Sequence, residues 1–267
     1  MQRTILFLSE VFGSGHTKAA EALVQSISLL EPSIHTRIIE PGRILHPIAT
    51  SLFLRSYKKI ITNYPFLWKI IYRSNKNQPV PCWLQFIIYQ LFHRNIELIL
   101  EQFKPSLVIS THPFSSSSLS RIKKLGNPVR LCTVITDFHV HSLWVQPEVE
   151  LYIVSGDEAG RQLFEMGIPQ ERIAVTGIPI RMNFWTKNNK QEAKKELKLN
   201  NLPTVMVMGG GLGLGGIEEL AFSLMKWKES IQLLICTGSN DRLRLSLLRN
   251  KHFQRGMKNI TVVIWSI

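Results

Sequence analysis

The sequence predicts an α/β chain built from two parallel-sheet domains, and three observations carry this prediction. Short apolar runs of strand length alternate with segments whose apolar residues recur at helical spacing, which is the order of repeated βαβ units. A glycine-rich turn follows the first strand of each half. The chain has 267 residues, of which 45% are hydrophobic and 19% charged, so two packed cores are expected.

The first domain is predicted to span residues 1–180. Thr4–Leu8 is a short apolar run with β-branched and aromatic residues, which is typical of a buried strand. After a Gly/Ser turn, Thr17–Leu30 carries apolar residues at helical spacing and is predicted as a helix. The later elements predicted here are the strands Thr36–Ile39, Ser106–Ser110, Arg130–Thr136, Leu151–Ser155 and Ile173–Thr176, and the helix Asp157–Met166.

A polar Lys/Asn/Glu stretch after Pro179 predicts an interdomain connection over residues 181–201, helical in part at Gln191–Leu197. A second α/β domain is predicted from 202 to 267. Its last strand is followed by only a few residues, without a crossover helix, so we expect this second domain to be incomplete. The elements predicted in it are the strands Thr204–Met208, Ile231–Cys236 and Ile260–Ile264, the loop Gly209–Gly216, a helix from Ile217 and the helix Asp241–Arg249.

Several protein classes are disfavoured by the cysteines and the apolar runs. Cys82, Cys132 and Cys236 are far apart and form no CxxC pair, which argues against a zinc ribbon, a redox dithiol and a secreted disulfide scaffold. The N-terminus lacks the long apolar core of a signal peptide, and no run reaches the ~18 apolar residues of a transmembrane helix.

The net charge of +13 predicts a polyanionic partner. Residues 43–104 hold nine Lys/Arg against Glu97 and Glu101, together with eleven Tyr, Trp and Phe residues. Cations beside aromatic rings suit an anionic membrane surface. Nucleic acid also fits basic-plus-aromatic composition, but no RNP-like, zinc-finger or helix-turn-helix signature supports it. The remaining interpretation is a pair of core-packed helices with a solvated basic face.

The loop VMVMGGGLGLGG joins a predicted strand to a predicted helix. Glycines at this position let backbone N–H groups approach a diphosphate. Gly211, Gly213 and Gly216 match the dinucleotide pattern GxGxxG, but no acid follows the next strand until Asp241, so NAD is disfavoured. A nucleotide-sugar diphosphate fits better than NAD, and a purely structural turn is the alternative.

Polar residues follow three predicted strands of the first domain, at the edge where ligands of open α/β sheets collect. His16 comes after the turn containing Gly13 and Gly15, and a neutral imidazole there can act as a base. A capping or packing role is the alternative for His16. STHPFSSSS and TDFHVHSLW follow the next two strands, and Asp137, His139 and His141 give only thin evidence for a metal.

Taken together, the motifs SEVFGSGHTKAAEAL, THPFSS, TDFHVHSLW followed by PEVE, TGIPI and MGGGLGLGG occur in an order that resembles the monogalactosyldiacylglycerol synthase and processive diacylglycerol glucosyltransferase family. The resemblance covers nearly the whole chain. It implies a GT-B architecture of the family 28 type, with two Rossmann-like domains. It also implies inverting transfer of a hexose from a UDP-sugar, glucose or galactose, to the 3-hydroxyl of diacylglycerol, by a peripheral protein on the cytoplasmic face of the cell membrane.

The resemblance also implies roles for individual residues. His16 is the expected base, and the UDP-sugar is a co-substrate, with no metal and no other cofactor required. Diacylglycerol and anionic membrane lipids are the expected partners, without nucleic acid. The residues expected on the acceptor side are Gly13, Gly15, Asp137, His141 and Trp144, and those expected to face the UDP are Gly209, Gly210, Gly211 and Gly213.

The chain departs from the family at its end, because the expected Pro-Gly-Gly loop and acidic UDP-binding residue do not follow Gly216. A truncated product with an out-of-frame IWSI ending is therefore expected. This leaves a catalytically incomplete lipid-binding fragment as one alternative. A GT-B transferase with a polyprenyl-linked acceptor and a nucleotide-dependent dehydrogenase are the others.

Overall fold

The computed structural model describes residues 3–11, 13–63, 81–185, 189–250 and 260–265. The chain divides into two compact units, Met1–Trp185 and Thr186–Ile267. The stretch 181–201, predicted as a connection, therefore contributes residues to both units. Part of the basic, aromatic stretch, residues 64–80, and the last two residues of the IWSI ending lie outside the described residues.

The first unit contains a six-stranded sheet in which every pairing is parallel. The strand order is β2-β1-β3-β4-β5-β6, so the order reverses between β1 and β3. Such a switch point opens a crevice at the carboxyl ends of the two strands, where ligands bind in folds of this class. The strands are β1 (Thr4–Leu8), β2 (His35–Ile39), β3 (Leu107–Ser110), β4 (Leu131–Val134), β5 (Leu151–Val154) and β6 (Ile173–Val175).

Helices cover both faces of this sheet, and a separate cluster of buried apolar residues therefore lies on each face. Leu6 and Leu8 belong to one buried cluster, while Phe7 between them belongs to another, because successive strand residues point to opposite faces. The helices described in this unit are α1 (Ser14–Leu30), α2 (Pro41–Leu45), α3 (Pro47–Asn63), α4 (Cys82–Ile88), α5 (Ile96–Phe103), α6 (Pro113–Lys124) and α7 (Asp157–Glu165), with a π-helical turn at Tyr89–His93 directly after α4.

Helix α1 starts three residues earlier than the predicted Thr17. Gly13 precedes it with φ of +108°, a conformation that favours glycine, and so the chain turns directly from the loop into the helix. His16 consequently lies in the first helical turn rather than before it.

The second unit is a three-stranded parallel sheet of order β7-β8-β9. Its buried cluster includes Val207 from the first strand, Ile217 and Ala221 from a helix, and Leu233 and Ile235 from the central strand. Its elements are α8 (Lys190–Glu196), β7 (Thr204–Met208), α9 (Ile217–Leu224), β8 (Ile231–Cys236), α10 (Asp241–Arg249) and β9 (Ile260–Trp265).

Large apolar side chains are exposed on α2, α3, α4 and the π-helical turn. Phe53 of α3 and Phe92 of the turn meet edge-on with ring centroids 5.2 Å apart, which joins these elements. Within the described ranges, no helix is both long and apolar enough to cross a bilayer. The side chains that we call the exposed helical surface are Ile44, Ile48, Leu52, Trp83, Phe86, Ile87 and Leu91.

Candidate active site of the first unit and glycine loop of the second

His16 lies at the switch point of the first sheet. It is in the first turn of α1, just after the carboxyl end of β1, and its Nδ1 is 2.9 Å from Oγ1 of Thr136, which follows β4. Its ring meets that of His112 edge-on, with centroids 4.7 Å apart, and His112 follows β3. The structure therefore brings together the residues that follow three neighbouring strands.

Gly13 leaves one edge of the His16 ring uncovered. A Cβ atom at Gly13 would lie 3.6 Å from Cδ2 and 3.9 Å from Nε2 of His16. A side chain at Gly13 would therefore lie against the Nε2 edge of the ring, while Nδ1 faces Thr136. Gly15 is exposed, with no atom within 4 Å of the position its Cβ would take.

Asp137 is held by two groups of its own loop. The indole Nε1–H of Trp144 donates to Oδ2 of Asp137 at 2.8 Å, and Nε2 of His141 lies 3.6 Å from the same oxygen. Trp144 itself is fully buried, although the family resemblance implied a place on the acceptor side. Its N–H contacts the carboxylate of Asp137, and its ring centroid lies 6.0 Å from those of His16 and His141.

The buried setting fixes the protonation of this cluster. Burial lowers the pKa of His16 below its ordinary value, and the charge of Asp137 and a hydrogen bond to the Thr111 backbone only partly oppose this. For Asp137, burial acts to raise the pKa, but His141, the Trp144 N–H and His16 together outweigh it, so that the pKa lies below its ordinary value. At neutral pH a neutral imidazole therefore lies near an ionised carboxylate.

His112 is a functional candidate that the sequence analysis did not single out. Its Nδ1 accepts a hydrogen bond from the backbone N–H of Phe114 at 3.2 Å, and this caps α6. Burial, followed by the nearby His16, His93 and His141, lowers its pKa well below the ordinary value. The available signal was its position before Pro113, because proline is favoured in the first turn of a helix and the preceding residue is the cap.

In the second unit, the loop after β7 is joined to the loop after β8. The backbone N–H and the hydroxyl of Ser239 both donate to the carbonyl of Gly211 at 2.9 Å. The amide Nδ2 of Asn240 donates to the carbonyl of Gly213 at 3.0 Å, and its Oδ1 caps α10. The glycine loop is thus fixed by residues at the carboxyl end of the neighbouring strand.

The glycines of this loop differ in what surrounds them. Gly213 is buried, and a Cβ there would lie 1.9 Å from the carbonyl oxygen of Thr237, so its role is close packing. Gly209 is similarly crowded, with the carbonyl of Leu214 2.2 Å from its Cβ position. Gly210 has open space around it, and it is exposed, as is Gly211.

A carboxylate already lies at the start of α9. Oε2 of Glu219 is 2.8 Å from the position that a Cβ of Gly216 would take, at the N-cap of this helix. An anion bound by this loop would therefore depend on the loop N–H groups more than on the positive end of α9.

Metal ligands are not grouped in the described part of the chain, where no three or more His, Cys, Asp or Glu side chains are placed to hold an ion. Asp137 and His141 are close to each other, whereas His139 is exposed and lies near Gln162, with His139 Nδ1 3.4 Å from Gln162 Nε2.

Comparison with curated proteins returns processive diacylglycerol beta-glucosyltransferases. The chain is 29% identical over 262 residues to the processive diacylglycerol beta-glucosyltransferase of Bacillus cytotoxicus, covering 92% of this chain and 63% of that protein. It is also 29% identical over 251 residues to the enzyme of the same name in Bacillus cereus, covering 91% of this chain and 62% of the relative. The chain thus spans less than two thirds of the length of these relatives.

Among solved structures, the chain resembles Anabaena HepE in complex with UDP and glucose, with a TM-score of 0.57, 12% identity, and coverage of 99% of this chain and 69% of that one. It also resembles S. aureus MnaA with UDP, with a TM-score of 0.54, 12% identity, and coverage of 99% and 69%. These similarities confirm the predicted α/β fold of the GT-B class.

The sequence pattern of the monogalactosyldiacylglycerol (MGDG) synthase family matches residues 16–180, which is more than half of the chain. The match includes His16, His112, Asp137 and Trp144, and it ends at the predicted boundary of the first domain. The resemblance identified from the motifs is thereby confirmed, and the chain belongs to the MGDG synthase family.

Proposed function

We propose that this protein transfers a hexose from UDP-glucose or UDP-galactose to the 3-hydroxyl of diacylglycerol, with inversion, on the surface of a membrane. The observation that carries the proposal is the half-buried, neutral His16 at the switch point, with its Nε2 on the side of Gly13. Membership of the MGDG synthase family supports the reaction class.

In the proposed step, Nε2 of His16 takes the proton of the acceptor hydroxyl. The freed oxygen lone pair attacks the anomeric carbon, the bond from that carbon to the UDP oxygen breaks, and UDP leaves with the electron pair. This step requires the tautomer in which Nδ1 of His16 carries the ring proton and donates to Oγ1 of Thr136, 2.9 Å away. This tautomer leaves the lone pair of Nε2 free for the acceptor.

Asp137 stabilises the imidazolium that forms when His16 accepts the proton. Its carboxylate is ionised and is oriented by the Trp144 N–H, so its charge is present before the reaction. Preorganised charge of this kind lowers the barrier without further reorganisation.

The UDP diphosphate is expected at the exposed glycines of the second unit. Gly210 and Gly211 supply backbone N–H groups without side chains, and Ser239 and Asn240 hold the loop in one conformation. This assigns the diphosphate to Gly210 and Gly211, while Gly209 and Gly213 serve the packing of the loop.

The exposed helical surface is the proposed membrane contact. Its apolar side chains lie on the same elements as the exposed cations Arg55 and Lys59. Apolar groups gain free energy on leaving water, and cations near the surface attract anionic headgroups. The protein would therefore act as a peripheral protein on the cytoplasmic face of the cell membrane.

One incubation tests the proposal. The purified chain is mixed with vesicles of anionic phospholipid containing diacylglycerol, with either UDP-glucose or UDP-galactose, and glycolipid formation and co-sedimentation are measured together. His16→Ala is run beside His35→Ala, an exposed histidine of β2. We expect glycolipid from one donor, a loss of about 10²–10⁴-fold in turnover in the first variant, and no change in the second.

Three results would contradict the proposal. Vesicle binding without product from either donor would identify the chain as a lipid-binding fragment. Equal turnover of His16→Ala and the unaltered chain would remove His16 from the reaction. Product formed only with a polyprenyl-linked acceptor would reassign the acceptor.

A further inference from the structure

A chain of hydrogen-bonded side chains lies buried beside the candidate active site. The Nε2–H of His93 donates to Oε1 of Glu10 at 2.6 Å, and Nδ1 of His93 lies 2.7 Å from Oγ of Ser118. Glu10 and His93 are completely buried, and Ser118 is nearly so. The proposed reaction uses none of the three.

These three hydrogen-bonded side chains connect the two sides of the switch point. Glu10 lies in the β1–α1 loop, which leads to His16, and Ser118 lies on α6, whose cap is His112. His93 comes from neither of these segments and bonds to both. The two segments that it joins are the ones whose histidine rings meet edge-on at 4.7 Å.

Stability gives no reason for a buried polar Glu10–His93 pair at this place. Oε2 of Glu10 is buried and has no hydrogen-bond partner among the described residues, and the same is true of Oγ1 of Thr50. Both atoms lie within 3.0 Å of the point that a Cβ of Gly42 would occupy. A buried carboxylate with an unpaired oxygen is costly, and apolar replacement of buried pairs is often neutral or stabilising.

The backbone at His93 is also unusual. His93 is the last residue of the π-helical turn Tyr89–His93, in which Phe92 and His93 are buried while Leu91 is exposed. Such turns are frequent at functional sites. Here the turn directs the imidazole of His93 towards Glu10 and Ser118.

We propose that Glu10 and His93 are positioning residues for His16: together with Ser118 they hold the β1–α1 loop against α6 at the spacing in which His16 and His112 meet. This inference rests on the proposed function, since it assigns His16 the acceptor proton. Displacing a reacting group by about 1 Å can lower a rate by about 10²-fold, so the positioning is expected to affect kcat.

The test replaces the three hydrogen-bonded side chains by apolar ones, in the variant Glu10→Leu/His93→Leu/Ser118→Ala. Its matched control is Ser116→Ala/Thr133→Val, which removes another buried hydroxyl pair, 3.0 Å apart, between α6 and β4. For both variants we measure thermal unfolding, kcat and KM for diacylglycerol, and the ring ¹⁵N signals of His16 and His112 by NMR.

We expect the apolar variant to remain folded, with kcat about 10²-fold lower and KM unchanged, and with displaced ring signals of His16 and His112. The control is expected to keep both signals and kcat. Unaltered kcat together with unaltered ring signals in the folded apolar variant would overturn the proposal. The NMR comparison does not need turnover, so it still decides the positioning role if the unaltered chain forms no glycolipid.

Two conservative variants keep the test decisive if the apolar variant does not fold. Glu10→Gln preserves an acceptor for the His93 N–H at the same reach and is expected to keep kcat within about threefold. Glu10→Asp keeps the charge but withdraws it by one methylene, and it is expected to lose kcat with KM unchanged. Retention of kcat and of the His16 signal in Glu10→Asp would contradict the proposal.

Discussion

At the level of single residues, the candidate site depends on which protonation state burial allows. His16 and His112 are both enclosed, and burial is the largest cause lowering the pKa of each ring. A neutral imidazole is a base, and a charged one is not. The same burial that reduces contact with water therefore keeps His16 competent at mildly acidic pH.

The charge of Asp137 raises the pKa of His16 against the effect of burial, so Asp137→Asn should lower that pKa further. Because the base must be neutral, the acid limb of kcat/KM is expected to move to lower pH. The plateau should fall about tenfold, since a weaker base accepts the proton less readily. Rate profiles between pH 5 and 8 check this, with Glu150→Gln, a surface partner of Lys123, as the control. An acid limb that moves to higher pH would contradict the assignment.

His112 should make folding sensitive to acid. Its pKa in the folded protein lies below the unfolded value, so between the two the unfolded chain binds one more proton. The free energy of unfolding therefore rises with pH in that window. As pH falls below about 6.5, the contribution of His112 decreases by roughly 1.4 kcal/mol per pH unit. His112→Asn keeps a helix-capping side chain and should remove this contribution to the slope. Urea unfolding at pH 5 to 7 measures it, with His35→Asn as control; an unchanged slope would be the contrary result.

At the level of elements, the glycine loop after β7 predicts a contrast between two substitutions. Gly213 and Gly215 both have positive φ, at +59° and +95°, so an alanine is strained at either place. Only at Gly213 would the new Cβ collide with a carbonyl, that of Thr237, at 1.9 Å. Gly215→Ala should cost about 1 kcal/mol of unfolding free energy, and Gly213→Ala several times more. Chemical denaturation compares them, and equal losses would mean that strain alone governs the loop.

The strands β1, β3, β4 and β8 were predictable because they are largely buried on both faces and are therefore nearly continuous apolar runs. The limits of β4 were less so: the prediction was Arg130–Thr136, whereas the strand is Leu131–Val134. The residues of β4 that pair with β5 are Cys132, Thr133 and Val134. Past Val134, the N–H of Ile135 still donates to the carbonyl of Ile153 at 2.8 Å, but the regular pairing ends there.

The candidate site was predictable where position along a strand implies position in space. His16 and Asp137 could be chosen because each follows a strand. Residues that follow the carboxyl ends of parallel strands lie together at one edge of the sheet. The contact of Glu10 with His93 spans 83 residues and comes from a π-helical turn, and no periodicity in the sequence indicates either. The burial of Trp144 is likewise a tertiary property.

At the level of the whole molecule, the proposed membrane contact predicts where apolar substitutions matter. Leu52 and Trp83 belong to the exposed helical surface, with 58% and 65% of their surface exposed, and Leu30 at the end of α1 is 84% exposed. Leu52→Ser and Trp83→Ser should each weaken vesicle binding about tenfold, through lost apolar burial. Leu30→Ser should leave it unchanged. Sedimentation with anionic vesicles measures all three, and equal effects would remove the assignment of this face.

The parallel order of the first sheet has a consequence for synthesis of the protein. β1 pairs with β3, so that Ser106 donates to the carbonyl of Thr4 across 102 residues. A ribosome adding about 5–20 residues per second takes on the order of 5–20 s to cover that distance. During this interval Leu6, Phe7 and Leu8, all fully buried in the finished fold, lack one neighbouring strand. One edge of β1 therefore stays unpaired until β3 has been synthesised.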